Sequence, residues 1–394
     1  MADPSPPILL RRGALPPGPQ SAQGSNSAIV ESPTGSRILL LGPARTAVSG
    51  VSTHINQLFG SPLATRFELT QFQVGSEGRM EGPVRTALRL ITSPVTFAVC
   101  LIRLRPRIVH INTSFEPKGY WRDLAYLVLA RLMRRRIVYQ IHGGALPGEF
   151  FSGNATLTSL LRRVLSWPDA VVLLAASEVA AYGAFAPGAR LIRIANAIQL
   201  YDADVSVTRY AGTRPLEVVY VGRLAVNKGI LDIIEAVRIL RDKDIEVRLT
   251  IAGSGAARQE IIQAVASGGL GDRVRVVGAV FGEAKQRLWQ QSDVFAFPTY
   301  HHEGLPYALL EAMCGGAVPV AAPAGAIPDV MQDGVHGLFV PPRDPQALAA
   351  VLERLAGDRT FLHALAAAGR ARIMSQYSVG RLAEEFRALY DSLA

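Results

Sequence analysis

Short apolar runs alternate with helix-length stretches twice over in this chain, and that alternation leaves few folds open. The first series predicts strands at 37–42, 67–74, 107–112, 136–141, 170–174 and 191–194, with helices at 83–104, 120–133 and 156–166. A polar stretch, 201–215, breaks the pattern and reads as an interdomain linker. The alternation restarts with strands at 216–222, 246–252, 273–277, 294–297, 318–320 and 337–340, interleaved with helices at 229–240, 256–266 and 283–291. It ends in three helical stretches, 345–355, 360–375 and 379–392. Such a pattern predicts a mostly parallel sheet with helices on both faces. Two consecutive α/β units are expected, each doubly wound, with a cleft where the carboxyl ends of their strands face each other. The expected division is a disordered Pro/Ser/Gly-rich leader over 1–36, an N-terminal domain over 37–205, a C-terminal domain over 206–378 and a final helix over 379–394.

The bulk numbers agree with two ordinary domains: 394 residues, of which 49% are apolar. The two cysteines, Cys100 and Cys314, lie too far apart for a zinc spacing and suggest no disulfide framework, so a reducing cytosol is the expected compartment. Ile8-Leu9-Leu10 is too short for a signal-peptide core. No uncharged run of 18 apolar residues is present, so a spanning helix is not expected. The net charge of +9 is lopsided: residues 37–213 carry 20 basic and 10 acidic side chains, residues 214–394 carry 19 and 20. One domain is therefore expected to face something anionic.

Candidate chemistry sits at predicted strand ends. Glu303-Gly304-Leu305-Pro306-Tyr307-Ala308-Leu309-Leu310-Glu311 sets two carboxylates eight positions apart at the start of a helix, whose free N–H groups suit an anion. Gly222-Arg223-Leu224-Ala225-Val226-Asn227-Lys228-Gly229 places two cations around a turn before another helix, a diphosphate clamp or a solvated loop in equal measure. Gly253-Ser254-Gly255 admits a ligand to the backbone but is a weak signal. Gly278-Ala279-Val280 could contact a base or be a plain strand end. In the first domain, Ser49-Gly50-Val51 opens a helix, and His142-Gly143-Gly144 puts an accessible imidazole at a strand end, able to orient a hydroxyl or share a proton. His110 falls within a strand and reads as core. His301 and His302 read as loop lining.

Taken together, Ser49-Gly50-Val51, His142-Gly143, Asn196-Ala197-Ile198, Gly222-Arg223-Leu224 with Lys228-Gly229, Gly253-Ser254-Gly255 and Glu303-x7-Glu311 resemble a retaining glycosyltransferase of family 4, also called glycosyl transferases group 1. Gly334-Val335-His336-Gly337 and Asp344 fit the same pattern over about 37–394. The resemblance implies a GT-B fold, two Rossmann-like doubly wound domains facing a central cleft, with the last helix crossing back to the first domain. It implies that Arg223 and Lys228 hold the diphosphate of a UDP- or GDP-linked sugar and stabilise the leaving charge. Glu311 would bind ribose hydroxyls and Glu303 sugar hydroxyls. Gly304, Leu305, Pro306 and Tyr307 would lie along sugar and phosphate, Gly253 and Val280 near the nucleotide, Gly50 over the diphosphate, and His142 beside the anomeric centre. No metal or cofactor is expected. Glu303 and Glu311 look like a hydrolase's carboxylate pair, but the resemblance makes both binding groups. Three positions depart from the family pattern: Ser49 stands where many relatives have glycine, Gln199 where many have an acid, and Asp329 where glutamate is common.

Arginine clusters at 103–107 and 131–136, beside Tyr120 and Trp121, could rest on anionic lipid or be merely solvated. An acceptor that is a glycan or is linked to a lipid diphosphate would suit a cytoplasmic enzyme peripheral to the inner face of the membrane. Nucleic acid is not expected as a partner, because no motif accompanies the charge. The rival readings are a GT-B synthase or phosphorylase acting on soluble sugars, and a nucleotide- or glycan-binding relative without turnover.

Overall fold

The computed structural model describes residues 35–79, 81–212 and 214–394. The leader expected over 1–36 lies almost wholly outside the described residues. The chain divides into two units. The first comprises the residues up to Leu173, then Val179–Ile194 and Ala383–Ala394; the second comprises Leu174–Glu178 and Ala195–Leu382.

The first unit is built on six parallel strands: β1 (Arg37–Gly42), β2 (Glu68–Gln73), β3 (Ile108–Phe115), β4 (Arg136–Gly144), β5 (Ala170–Leu173) and β6 (Leu191–Arg193), in the order β2-β1-β3-β4-β5-β6. β3 and β4 are nearly all buried, as befits parallel strands covered on both faces. Helices Gly50–Gly60, Pro83–Leu104 and Pro117–Leu132 fall in the intervals between the first four strands. The last segment of the chain belongs to this unit. Tyr390, on the C-terminal helix Val379–Leu393, meets His110 Nδ1 of β3 at 2.6 Å through its hydroxyl, and its ring packs edge-on against Phe67.

The second unit repeats the plan with β7 (Leu216–Val221), β8 (Val247–Ala252), β9 (Val274–Gly278), β10 (Val294–Phe297), β11 (Val318–Ala321) and β12 (Leu338–Phe339) in the order β12-β11-β10-β7-β8-β9, all parallel. Successive strands step one way from β7 and the other way from β10, so the sheet reverses between these neighbours. The expected boundary at 205/206 does not coincide with the division, which falls after Ile194. The polar stretch 201–215 is not a free linker, because its polar groups find partners inside the second unit. The Arg209 guanidinium donates to the carbonyls of Gly315 (2.7 Å) and Ser292 (2.8 Å), and the Tyr210 hydroxyl donates to that of Gly316 (2.7 Å). Arg214 grips the fully buried Asp293, just ahead of β10, at 2.8 and 2.5 Å, and Asp293 also accepts from the Glu217 N–H at 3.0 Å. This network ties together the amino-terminal ends of β7 and β10, the end opposite to the loops described next.

Candidate functional site

In an open parallel sheet, ligands collect outside the carboxyl ends of the strands at the point where strand order reverses. In the second unit that point lies between β7 and β10. The loop after β7 runs through Arg223 to a short 3₁₀ turn, Val226–Lys228, and then into the helix Ile230–Asp242. Gly229 makes that entry possible: its φ is +73°, and a Cβ there would run into the backbone of Pro298. Lys228 is thereby delivered, 7% exposed, to the Glu303 carboxylate at 2.5 Å. Thr299 donates its hydroxyl to the same carboxylate oxygen at 2.9 Å. A second tight approach fixes the Glu303 backbone, where Gly325, at φ +56°, leaves no room for a side chain.

Glu303 and Glu311 occupy different surroundings. Glu311, in the second turn of the helix Tyr307–Cys314, pairs with Lys285 at 2.7 Å. Lys285 comes from the helix Gly282–Gln291, which begins just after Val280 in the loop that leaves β9. Pro306 precedes the Tyr307–Cys314 helix in extended conformation, and no acidic side chain lies in its first turn. Between the two carboxylates, the Asn196 amide donates to the Leu305 carbonyl at 2.8 Å and its oxygen accepts from the Tyr307 hydroxyl at 3.3 Å. The Gly304–Tyr307 segment is thus clamped from below. Gly253, at the end of β8, donates to the Gly278 carbonyl (2.7 Å), and the Leu224 N–H donates to that of Ser254 (2.9 Å), so the loops after β7, β8 and β9 form one rim. Arg223 stands exposed on that rim, and among the described residues its guanidinium has no ion-pair partner. The arrangement offers one free cation, one cation held by a carboxylate, a helix N-terminus and two oriented carboxylates. Such a set suits a ligand that carries both phosphate and hydroxyl groups.

The first unit has its own reversal, between β1 and β3. Gly50 opens the helix Gly50–Gly60 after β1, capped by Ser49, whose Oγ accepts from the Ser52 N–H at 3.3 Å. His142 lies inside β4, which runs three residues further than the sequence reading placed it. Its Nε2 is 2.9 Å from the Asn112 side-chain oxygen, while the Asn112 amide nitrogen donates to the Leu41 carbonyl at 3.0 Å. The amide orientation makes His142 Nε2 the donor and leaves Nδ1 as an acceptor. Burial, with His54 and His110 close by, holds the His142 pKa well below the usual imidazole value, so the ring is neutral near pH 7. The neighbours behave alike: His54 and His110 are both pushed down to about 3, chiefly by burial. His54 packs against His142 with ring centroids 4.9 Å apart. His110 is a satisfied core residue, as its place in a strand suggested, bonded at 3.0 Å to Gln140.

The structure therefore brings Lys228, Glu303, Glu311 and the Gly304–Tyr307 segment together in the second unit, with Arg223, Gly253 and Val280 on the rim loops. Gly50 and His142 occupy the corresponding strand ends of the first unit. Thr299, Lys285 and the clamp by Asn196 were not assigned from sequence. A usable signal existed for Lys285: the chain has only four lysines against 37 arginines, and two of the four hold the site's carboxylates.

Comparison with known proteins follows the same lines. Residues 215–358 match the family model described as Glycosyl transferases group 1. The amylovoran biosynthesis glycosyltransferase AmsK of Erwinia amylovora is 34% identical over 170 residues, 42% of this chain and 42% of its own length. The chain spans about half the length of the curated relatives it matches. Among solved structures, sucrose-phosphate synthase from Thermosynechococcus elongatus aligns with a TM-score of 0.74 at 18% identity, covering 91% of this chain and 99% of the other. The Anabaena protein HepE in complex with UDP-glucose aligns with a TM-score of 0.70 at 17% identity, covering 91% and 100%. At these identities the structural likeness establishes the fold, and the family match lies within the second unit. The chain has a GT-B fold, and its residues 215–358 match the model of the glycosyl transferases group 1 family.

Proposed function

We propose that the chain is a retaining hexosyltransferase of the family 4 type. It would move a sugar from a UDP- or GDP-linked donor to a glycan or a lipid-diphosphate-linked acceptor, in the assembly of a cell-surface polysaccharide or glycolipid. The observation that carries this reading is the Lys228–Glu303 pair at the strand-order reversal of the second unit, beside a helix N-terminus. The names of AmsK, an amylovoran biosynthesis enzyme, and of the HepE complex with UDP-glucose support the same chemistry.

On this reading the donor diphosphate takes Lys228 and Arg223 as partners and displaces the Lys228–Glu303 ion pair. Glu303 is released to accept from hydroxyls of the donor sugar, while Glu311, positioned by Lys285, takes the ribose. Gly304–Tyr307 offers backbone N–H groups to the charge between them, and Gly253 and Val280 line the nucleotide side. Positive charge that develops a better leaving group comes from Lys228, Arg223 and the helix end, so the reaction needs neither a metal nor a cofactor. In the first unit, neutral His142, with Nδ1 as an acceptor, serves the acceptor hydroxyl. The enzyme would work in the cytoplasm, at the inner face of the membrane, where a lipid-linked acceptor is presented.

The test offers UDP- and GDP-sugars with either a lipid-diphosphate-linked or a soluble acceptor, follows nucleotide release, and assigns the product anomer by NMR. One donor class should turn over with retained configuration, and Lys228→Ala should abolish it. An inverted product, or turnover unchanged in Lys228→Ala, would overturn the reading.

A further inference from the structure

The helix Pro83–Leu104 has an outer face that water alone does not explain. Val84, Leu88, Ile91, Val95, Val99 and Ile102 follow one another at helical spacing along a single stripe, and each is 41–79% exposed. The opposite face is packed: Phe97, Cys100 and Leu101 are buried, the Phe97 and Phe72 rings meet at 5.2 Å, and Ser93 bonds to the Tyr126 hydroxyl at 2.6 Å. An exposed apolar stripe of this length on a helix marks an interaction surface.

By length and composition this helix could cross a bilayer, with a mean hydropathy of 1.6 in its most apolar 18-residue window, contrary to the expectation that no such segment exists. Its inner face is nevertheless committed to the folded unit, so it can meet a membrane only side-on. The neighbouring helix Pro117–Leu132 packs against it and adds exposed Trp121 and Leu132.

Charge says what covers this face. Residues 83–107 hold five arginines and no acid; residues 117–136 hold six basic side chains and one acid, Asp123. Asp123 is fully buried and neutralised by Arg122 at 2.7 Å, and Glu81, just before the first helix, pairs with Arg89 at 2.8 Å. The exposed cations Arg85, Arg103, Arg105 and Arg107 therefore border the apolar stripe, against one exposed acid, Glu116, at the start of the second helix.

We propose that this face of the first unit is a membrane-docking surface. The stripe from Val84 to Ile102 enters the interfacial layer of a bilayer rich in anionic lipid, with Trp121 at its edge and the arginines on headgroup phosphates. The surface uses none of the residues assigned to the second unit, so it can fail while the transferase reading stands, and the reverse.

The full chain is co-sedimented with vesicles of phosphatidylcholine alone and of phosphatidylcholine with phosphatidylglycerol, at low and high salt. Binding is expected only to the anionic vesicles, and should fall at least about tenfold in the double variant Leu88→Gln, Ile91→Gln, whose side chains touch no core. Arg103→Gln with Arg107→Gln should weaken binding and flatten its salt dependence. Because Cys100 and Cys314 are buried, Ile91→Cys can carry an environment-sensitive fluorophore, which should shift to the blue on anionic vesicles alone. No binding at low salt, full binding by the Leu88/Ile91 variant, or a solution dimer that Ile91→Glu converts to monomer while vesicles go unbound would each overturn the proposal; the last would assign the face to a second copy.

Discussion

The two units share a plan, six parallel strands that reverse order once, yet their strand ends are furnished oppositely. In the second unit the reversal is lined with paired charges, Lys228 with Glu303 and, farther along, Lys285 with Glu311. In the first unit the buried His54 and His110 and the half-buried His142 stand together, all held neutral, and arginines cluster instead at 103–107 and 131–136. The contrast shows that a doubly wound sheet fixes where a ligand binds but leaves open which ligand. Displaceable ion pairs suit an anionic, hydroxyl-rich donor. A neutral imidazole cluster suits a group that must be oriented without being charged.

The largest effect expected from breaking this contrast is catalytic. Lys228→Ala should lower donor turnover by about 10²–10³-fold or more, measured by nucleotide release at a temperature where the variant is folded, and should also lower the melting temperature, since it leaves the buried Glu303 with Thr299 but no cation. Next comes the structural counterweight at the other end of the same strands. Asp293→Asn leaves Arg214 and Arg359 facing a neutral partner in a buried setting and should cost about 3–5 kcal/mol, read from urea denaturation.

The first unit should answer to acid instead. Its histidines are held neutral when folded, with His54 and His110 at about 3, whereas the unfolded chain takes up protons near pH 6.5. Stability is therefore complete above about pH 6.5 and falls as pH drops toward the folded values. Each of these two histidines should cost roughly 2 kcal/mol at pH 5. Denaturation midpoints at pH 7.5 and pH 5 test this, and His110→Gln should reduce the slope. The smallest effect is local: Lys285→Met should weaken donor binding by about tenfold with turnover of bound donor preserved, because it positions Glu311 alone.

Much of this was legible in the sequence because parallel, doubly covered strands are continuous apolar runs and their helices fill the gaps. The charged loop at 222–229 and the 303–311 segment could be read for the same reason: chemistry in this fold sits at strand ends. What could not be read depends mostly on contacts between distant segments. Asn196 belonged to a recognisable motif, but its clamp on Leu305, 109 positions away, appears only on folding, and Thr299 reaches Glu303 through the local turn between them. The 201–215 stretch has a linker's composition, yet Arg209, Tyr210 and Arg214 bind carbonyls and a carboxylate far away in the chain. The helix at 83–104 has a periodic apolar stripe that a sequence reading would bury, yet the structure leaves it exposed and turns Thr86, Arg89, Ser93 and Thr96 partly inward.

The most direct measurement is calorimetric titration of UDP- and GDP-sugars into the wild-type chain, Lys228→Ala and Glu303→Gln. The account predicts one site per chain for one donor class, at least about a hundredfold loss of affinity in Lys228→Ala, and a loss in Glu303→Gln for the nucleotide sugar but not for the free nucleoside diphosphate. Equal affinity of wild type and Lys228→Ala for the nucleotide sugar would contradict it.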